Sequence, residues 1–462
     1  SVAVAAVVAA TLAVAPPAGA RARAVTLQSP AFTMAGFQTR LPKVRVPAPA
    51  GGGWITAMNV RLVHGDGRPV SIRRVMLHHV LFLNTGRRRT DYRGSCEGRH
   101  GEPFYGTGEE RQRLILPPGY GYRVRAGDRW RMNAMLMSHS LIAQRVAVRY
   151  TFRFVTGRRL RPVRPFWIRA NGCASTHPSY PIPGGQGRGS THRTTFTWRV
   201  PIAGRIVAAG GHLHAGARNM LLTDPGCGGR RVAQTRPLYA PPSDLVYRLR
   251  PVLHEPGPVS TGYFLSGQGI GVRRNQRLQL TGEYDGEWPR TKVMSIMHVY
   301  VAPGPPPTRR CPPMPTDARE LLLRRAGTFT PPYLRVPLNV LGVDGRIREV
   351  QTLDGPVKKV TGSAQVAVRD DAFSPRKLSL PAGATLTWRF VGPGTHNAYF
   401  ANGPAVIGTP TIGGAGVRRV KLLSPGRYQL FCSLHPVTMQ QEVIVRAPPS
   451  PSVPAAQAPA GP

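Results

Sequence analysis

Residues 144–155 read QRVAVRYTFRFV, a run of β-branched and aromatic residues that ends just before Gly157. Runs of this kind, bounded by Gly, Pro or Asp, are typical of β-strands. Similar runs recur along the chain: WITAMNVRLV (54–63), RRVMLHHVLFL (73–83), WRMNAMLMSHS (130–140), TTFTWRVPI (194–202), RIVAAGGHLHAG (205–216), QRLQLTGEYD (276–285) and KVMSIMHVYVA (292–302). No convincing amphipathic helix interrupts them. The pattern predicts an all-β protein that begins with two jelly-roll-like antiparallel β-sandwich domains in series.

Residues 1–24 carry no charge before Arg21 and end in small residues with an A-x-A-like site. This pattern predicts a signal peptide and therefore export from the cell. A membrane anchor is the alternative, but the run is rich in Ala and breaks at Pro16 and Pro17, which makes it marginal as a span. We expect a secreted, extracellular or cell-surface protein.

Composition divides the rest of the chain into two β domains (25–165 and 166–303), a Pro-rich linker (304–361), a further β-rich unit (362–446) and a tail (447–462). Within the linker, TDARELLLRRAG (316–327) predicts one short helix with Thr316 as N-cap and Gly327 as C-cap. The tail, APPSPSVPAAQAPAGP, has nothing to pack, so we predict that it is disordered.

Five cysteines are spread over 462 residues. An exported protein folds in an oxidising compartment, where disulfides form and persist. Cys96, Cys173, Cys227 and Cys311 could form two disulfides with three possible connectivities. This arithmetic leaves Cys432 unpaired.

The formal net charge is +41, almost all from arginine. Such a balance suggests a polyanionic partner. The arginines are mostly single and scattered through strand-like segments, however, and no nucleic-acid module with interleaved aromatics is present. An arginine bias of the genome explains the charge most simply. We expect no specific nucleic acid partner, and anionic cell-surface polymers remain candidates.

Cys432 stands in FCSLHPVTM (431–439), where His435 and Met439 follow it at short spacing, and His396 lies upstream in THNAYF. Two imidazoles and a thiolate with a weak axial thioether make an electron-transfer copper site. One alternative is a buried free cysteine with unrelated neighbours. Another is a zinc site, which is disfavoured because methionine is a poor zinc ligand.

The segment 362–446 resembles the cupredoxins, the group of plastocyanin, azurin and amicyanin, in DAFSPRKLSLPAGATLTWRF, THNAYF, GRYQLFCSLHPVTM and the closing EVIV. The resemblance implies a Greek-key β-sandwich with one type 1 copper ion. The ligands that it implies are His396, Cys432, His435 and Met439. Asn397 looks like the cofactor-site residue that braces the ligand loop in such domains.

Histidines cluster in the first two β domains, in LHHVLF (His78 and His79), LMSHS (His139) and GGHLHAG (His212 and His214). Residues i and i+2 of a strand share a face, so His212 and His214 can grip one metal ion. Adjacent residues point to opposite faces, so His78 and His79 can share an ion only where the strand is bulged or ends. Each histidine taken singly can also be a satisfied core residue.

A double His, a distant His, a His-x-His and a Met-bearing strand together resemble the copper type II, ascorbate-dependent monooxygenases over residues 30–303. Peptidylglycine α-hydroxylating and dopamine β-monooxygenase belong to this family. The resemblance implies two type 2 coppers facing each other across a solvent cleft. It implies one ion bound by His78, His79 and His139. It implies a second, catalytic ion bound by His212, His214 and Met294, with Met297 as the alternative to Met294. The implied reaction is hydroxylation of a small organic substrate by O2 with an external, ascorbate-like reductant.

This sequence departs from the family pattern at the substrate anchors. Gly210 stands where the peptide-processing enzyme has a carboxylate-docking arginine, and the polar residues that follow the methionine in that enzyme are not reproduced, since Ile296 and His298 stand there. A peptide substrate is therefore not supported, and the substrate stays unknown. The other histidines (64, 100, 177, 192, 254 and 298) are interpreted as surface or core residues, although His298 could support the Met294 site.

Three functions compete. The first is a secreted copper monooxygenase fused to its own blue-copper electron donor. The second is a non-catalytic extracellular copper-binding or electron-transfer protein, which could serve a redox partner. The third is a cationic surface-binding protein whose metals are structural.

Overall fold

The computed structural model describes residues 21–88, 93–175, 177–249, 255–322, 327–332, 335–350, 352–369 and 371–448. These residues form mainly antiparallel sheets with very little helix, which confirms the predicted all-β fold class. The strands build three sandwiches, each around its own apolar core.

The first sandwich contains β1 (Arg21–Gln28), β2 (Phe32–Met34), β3 (Thr39–Arg40), β4 (Lys43–Val46), β5 (Gly53–His64), β6 (Val75–Asn84), β7 (Glu102–Gly108), β8 (Leu114–Ile115), β9 (Tyr120–Val124), β10 (Trp130–Ser138) and β11 (Gln144–Thr156). Its layers have the orders β1-β11-β5-β9 and β3-β10-β6-β7. Along β11 the side chains alternate, because Tyr150 and Phe152 fill the core while Arg145 and Arg153 are exposed.

The second sandwich contains β12 (Arg161–Arg169), β13 (Tyr180–Ile182), β14 (Thr191–Arg199), β15 (Gly204–Leu213), β16 (Ala217–Asp224), β17 (Arg230–Thr235), β18 (Pro237–Leu238), β19 (Ser260–Thr261), β20 (Tyr263–Val272), β21 (Arg277–Asp285), β22 (Arg290–Val293), β23 (Ser295–Pro303) and β24 (Arg319–Leu321), with the short helix α1 (Leu245–Arg248). The layer β12-β23-β15-β20-β24 faces β14-β21-β16-β17. Parallel pairing of β9 with β12 makes one sheet continuous through both sandwiches. Gly98–His100 and Pro225–Cys227 form 3₁₀ turns.

The third sandwich contains β27 (Lys358–Lys359), β28 (Ala364–Arg369), β29 (Ala372–Ser374), β30 (Lys377–Pro381), β31 (Thr385–Phe390), β32 (Thr395–His396), β33 (Tyr399–Asn402), β34 (Ile412–Gly413), β35 (Gly416–Lys421), β36 (Gly426–Phe431) and β37 (Gln440–Arg446). Its layers have the orders β27-β30-β37-β36-β33 and β29-β28-β31-β35. A hairpin of β25 (Leu338–Leu341) and β26 (Ile347–Val350) precedes it. Leu338 of this hairpin packs on Ala401 and Phe431.

Two disulfides are formed, Cys96–Cys173 and Cys227–Cys311, and Cys432 is a buried free thiol. This is one of the three connectivities that the sequence allowed. The second disulfide fastens the Pro-rich segment after β23 to the turn between β16 and β17.

The short helix predicted over residues 316–327 is wrong for the described part of that segment. Residues 319–321 form β24, which extends the edge of β20. Asp317 sits beside the same edge, where its carboxylate accepts hydrogen bonds from Ser266 Oγ and from the backbone N–H groups of Gly267 and Gln268. Backbone hydrogen bonding to the edge of β20 thus outweighs the local helix propensity of this segment. Residues 323–326 lie outside the described residues.

Residues 21–24, placed by the sequence in the signal peptide, form the start of β1 and pair with residues 153–156. The rest of that predicted segment (1–20), most of the predicted tail (449–462) and His254 lie outside the described residues. In the described part of the chain, no helix has the length and apolar character needed to cross a membrane.

Candidate metal centres

Three ligand-type side chains meet at one end of the third sandwich. The ligand atoms of His396, Cys432 and His435 lie within 4.8 Å of one another. Cys432 Sγ is 3.8 Å from His435 Nδ1, and the two imidazole centroids are 5.1 Å apart. His396 and Cys432 are buried, whereas the side chain of His435 is 34% exposed. The group thus has a buried sulfur and one edge that reaches solvent.

The loop between β36 and β37 brings Met439 back to Cys432. The N–H of Cys432 donates to the carbonyl of Met439 at 2.9 Å, and the N–H of Met439 donates to the carbonyl of His435 at 2.9 Å. His435 N–H donates to the carbonyl of Cys432 at 3.1 Å. Met439 is fully buried in the same core cluster as Cys432. Three of the predicted ligands, Cys432, His435 and Met439, therefore come from one closed loop. We call these three residues together with His396 the Cys432 site.

Asn397 ties the segment that carries His396 to this loop. Its Nδ2 donates to Ser433 Oγ at 2.7 Å and to Thr411 Oγ1 at 2.9 Å, and its Oδ1 accepts the N–H of Ser433 at 2.8 Å. Because Ser433 directly follows Cys432, these bonds fix the spacing between the two parts of the site. This geometry is what a bracing residue requires.

Asp371 is a site residue that the sequence reasoning missed. Its Oδ1 lies 3.2 Å from His435 Nδ1 and 3.7 Å from His396 Nδ1, and its side chain is 56% exposed. It places a carboxyl group at the open edge of the Cys432 site. The signal that could have found it is the acidic pair at 370 and 371 in a chain with only 21 acidic residues.

The donor set of this site fits copper. Burial raises the pKa of the Cys432 thiol, so a metal ion that binds there must displace its proton. A thiolate and two imidazoles beside a thioether suit both oxidation states of copper. Zinc is a poorer match, because its structural sites take Cys, His or carboxylate ligands.

Four histidines of the first two sandwiches form a second group. The ring centroids of His78 and His79 are 5.2 Å apart, and those of His212 and His214 are 4.8 Å apart. Between the sandwiches, His78 lies 5.3 Å from His214, and His79 lies 6.2 Å from His212. We call this group the four-histidine cluster.

A bulge in β6 explains how two adjacent histidines reach one place. In the pairing of β6 with β10, Met135 lies opposite His79 and Leu136 lies opposite Leu77. His78 is therefore the extra residue of a β-bulge. The condition that the sequence set for a site shared by His78 and His79 is met.

Glu109 and Glu110 orient the cluster, and the sequence reasoning missed both. Glu109 Oε1 lies 2.6 Å from His78 Nδ1, and Glu110 Oε2 lies 3.1 Å from His212 Nδ1. A carboxylate beside Nδ1 favours the tautomer that donates from Nδ1, and this tautomer leaves Nε2 as the possible ligand atom. An adjacent acidic pair in so basic a chain was the available signal.

Three ring nitrogens of this cluster are buried without a hydrogen-bond partner in the described part of the chain: His79 Nδ1, His212 Nε2 and His214 Nε2. Leaving a buried polar atom unpaired is costly, and a bound metal ion would remove that cost. Burial, followed by the neighbouring histidines, lowers the pKa of His79 and of His214 well below the ordinary value. Both rings are therefore neutral and can bind a metal ion.

The histidine pairs His78–His79 and His212–His214, which the sequence assigned to two copper sites, lie close to each other. Gly108 at the end of β7 gives the physical reason, because a Cβ there would lie 2.3 Å from the ring of His212. Its missing side chain lets β15 approach β7 directly. The rings of the two sandwiches consequently meet instead of facing each other across a cleft.

Contacts of the other predicted ligands are as follows. His139 follows β10, with Nδ1 2.9 Å from the carbonyl oxygen of Ile72. Met294 lies between β22 and β23 and packs with the apolar cluster that includes Leu81 and the Cys96–Cys173 disulfide. The reserve ligand Met297 is fully buried in the second core.

His298 is buried against Trp167, with ring centroids 4.3 Å apart, and burial lowers its pKa to about 3. It lines a narrow cavity beside His212. The other described histidines are half-buried or exposed: His64, His100, His177 and His192.

No protein-family model and no curated protein matches the chain. The solved structures similar to it include amicyanins. A reduced proline-to-phenylalanine mutant is 24% identical over 18% of this chain and 83% of its own, with a TM-score of 0.17. A reduced tryptophan-to-tyrosine mutant is 22% identical over 19% of this chain and 85% of its own. An oxidised methionine-to-leucine mutant is 21% identical over 21% of this chain and 87% of its own. Both have a TM-score of 0.17. Similarity at this level assigns neither a family nor an activity to the chain.

Proposed function

We propose that the chain is a secreted copper oxidoreductase, with a cupredoxin-like electron-transfer domain fused to a second copper centre at the four-histidine cluster. The observation that carries the proposal is the convergence of His396, Cys432 and His435 within 4.8 Å, beside the buried Met439. The two disulfides support the secreted location, since such bonds persist in oxidising compartments.

The Cys432 site is built to change little when an electron arrives or leaves. Asn397 holds Ser433, and backbone hydrogen bonds close the loop between Cys432 and Met439. Ligands fixed in this way are held in position before a metal binds. A copper ion bound here would supply one-electron redox chemistry.

In the second centre, Glu109 and Glu110 fix the rings of His78 and His212 with Nε2 directed away from each carboxylate. His79 and His214 add neutral imidazole nitrogens in a buried setting. Copper bound here would supply reductive activation of O2. We propose the hydroxylation of a small organic substrate, with two electrons per turnover from an ascorbate-like reductant, as the resemblance to the type II monooxygenases suggests.

A non-catalytic extracellular copper-binding and electron-transfer protein is the second candidate. The observation that favours it is the close contact between the sandwiches, where the rings of His78 and His214 approach to 5.3 Å. Gly210 also lacks the side chain that docks the substrate carboxylate in the peptide-processing enzyme. The two candidates differ only in whether O2 is consumed.

Metal analysis with electron paramagnetic resonance of the copper-reconstituted protein tests the copper sites. We expect a type 1 signal from the Cys432 site and a type 2 signal from the four-histidine cluster. A colourless protein that takes up no copper would overturn the proposal.

Oxygen consumption with ascorbate as reductant then separates the two candidates. His212→Ala should abolish it while the blue colour remains, and His192→Ala, on the outer strand β14, is the matched control. Equal O2 uptake in wild type and His212→Ala contradicts catalysis at the cluster, and a blue wild type without any uptake favours the second candidate.

A further inference from the structure

We infer that a path of covalent bonds, hydrogen bonds and one aromatic contact, between Phe431 and Tyr399, conducts electrons between the Cys432 site and the four-histidine cluster, through Tyr399, Thr291 and Tyr284. The inference rests on the proposed function, because it requires copper in both sites. It adds the residues through which the two centres exchange electrons.

The path begins next to the copper thiolate ligand. Phe431 is covalently adjacent to Cys432 and pairs with Tyr399 across β36 and β33. The two aromatic rings lie 5.3 Å apart. Phe431 and Tyr399 pack in one apolar cluster with Leu338 of the hairpin, which shields this step from water.

Tyr399 then makes the contact between the third sandwich and the second. Thr291 Oγ1 donates to Tyr399 Oη at 3.0 Å. The Nζ of Lys292 lies 4.6 Å from the centroid of the same ring. One aromatic side chain of the third sandwich is therefore held by two consecutive residues of β22.

From Thr291 the backbone runs through Lys292 and Val293 to Met294, the residue after β22. The hydroxyl of the fully buried Tyr284 donates to the carbonyl oxygen of Met294. The same hydroxyl oxygen accepts the backbone N–H of His214 at 3.2 Å. Tyr284 consequently joins the end of β22 to a residue of the four-histidine cluster.

Electron tunnelling decays less steeply along bonds than across gaps, so a path with a single short gap, between the rings of Phe431 and Tyr399, favours transfer between fixed sites. The balance is simple: the Cys432 site loses one electron and is oxidised, and the four-histidine cluster gains it and is reduced. No bond breaks in the protein and no proton has to move. An external one-electron reductant of the ascorbate class supplies the electron.

The test uses the full copper-loaded chain and a photochemical one-electron donor, with the blue absorption followed in time. Tyr399→Phe, Thr291→Val and Tyr284→Phe each remove one hydroxyl of the path and keep the side-chain shape. We expect the first-order phase of electron redistribution to become several-fold slower in each. The blue spectrum, the midpoint potentials and the copper content should stay at wild-type values.

The double variant Tyr399→Phe/Thr291→Val should be no slower than the slower single variant, since both changes remove the same hydrogen bond. Tyr428→Phe is the matched control in the third sandwich, because it loses a hydrogen bond to the carbonyl of Ser424 that lies off the path. Tyr239→Phe, which loses the bond to Ala217, is the control in the second sandwich. Both controls should keep the wild-type rate.

Wild-type rates in all three path variants would overturn the inference and leave the proposed function standing. A rate that rises with protein concentration would also overturn it, since the electrons would then pass between molecules. Absence of copper from either site would defeat the proposed function, and the path with it.

Discussion

Cys432 differs from an ordinary buried thiol in what surrounds its sulfur. Local spacing places His435 and Met439 near it, because the three residues belong to one tight loop between two paired strands. This part of the site could be predicted from sequence. For Asp371 the acidic pair at 370 and 371 was the only signal, and it does not place the residue, because Asp371 reaches the site through the packing of a separate segment rather than through the spacing of a motif.

We expect Cys432→Ser to abolish the blue absorption, since the hydroxyl is a poor substitute for a thiolate ligand to copper. It should also abolish the rise in melting temperature that copper gives to the third sandwich. Ligand binding at 1,000 times the dissociation constant stabilises a fold by about 4 kcal/mol, so the effect is measurable by calorimetry with and without copper. Copper at the four-histidine cluster should remain, and a variant that stays blue would contradict the assignment.

His298 should make the metal-free protein less stable in mild acid. Its pKa is about 3 in the folded state, because of burial, against 6.5 for the ordinary side chain. Between these values the unfolded chain binds more protons, so the stabilisation is complete above pH 6.5 and is lost as the pH falls toward 3. At pH 5 the loss is about 2 kcal/mol.

His298→Leu removes this titration, so its free energy of unfolding should depend less on pH than that of the wild type. Urea unfolding of both proteins at pH 7 and pH 5, without copper, measures the difference. An identical pH dependence in the two proteins would show that His298 is not the buried group responsible.

At the scale of strands, local patterns carried much of the information. The runs over residues 54–63, 144–155 and 276–285 correspond within one residue at each end to β5, β11 and β21. Buried side chains alternate with more accessible ones along most of β21 and in the middle of β5 and β11, as the period of a strand requires.

What the local pattern could not supply was contact between distant elements. The four-histidine cluster depends on Gly108, whose missing side chain allows β15 to reach β7. Strand β24 depends on the free edge of β20, which captured a segment with a helix-like sequence. Both outcomes are set by tertiary packing that overrides local preference.

Asp317 should control how firmly the segment before β24 is held. Its carboxylate accepts bonds from Ser266 Oγ at 2.5 Å and from the N–H of Gly267 at 2.7 Å, and these bonds lower its pKa. We expect Asp317→Asn to speed proteolysis within residues 304–322, since the neutral amide loses charge-assisted hydrogen bonds. Mass spectrometry of the fragments after brief digestion gives the rate.

The same change at Asp344, in the turn of the β25–β26 hairpin, is the matched control and should leave that rate unchanged. Because the folded pKa of Asp317 is lowered, its stabilisation is present above about pH 3.8 and is lost as the pH falls through the folded value. Equal digestion of both variants and wild type would contradict the role of Asp317.

For the whole molecule, the dominant feature is an excess of 62 basic over 21 acidic residues. Part of it is concentrated on the outer face of β11 and β5, where Arg145, Arg149 and Arg153 alternate with core residues and Arg61 lies opposite Arg149. The arginines of this strip on β11 are four residues apart, so their side chains lie on the same face of the strand. We expect the strip to bind anionic polymers of the cell surface.

The logarithm of the binding constant should fall linearly with the logarithm of the salt concentration, because each contact releases counterions from the polymer. Replacing the exposed Arg61, Arg145 and Arg153 by Gln should lower the salt slope by roughly one for each lost contact. Replacing the exposed Arg389, Arg418 and Arg419 of the third sandwich removes the same charge elsewhere, and it should change the slope much less. Affinity chromatography on a sulfated polysaccharide at several salt concentrations measures all three proteins. Equal slopes for the two triple variants would mean that net charge, and not the strip on β11 and β5, governs the attraction. Elution at the same volume at every salt concentration would exclude a polyanionic partner.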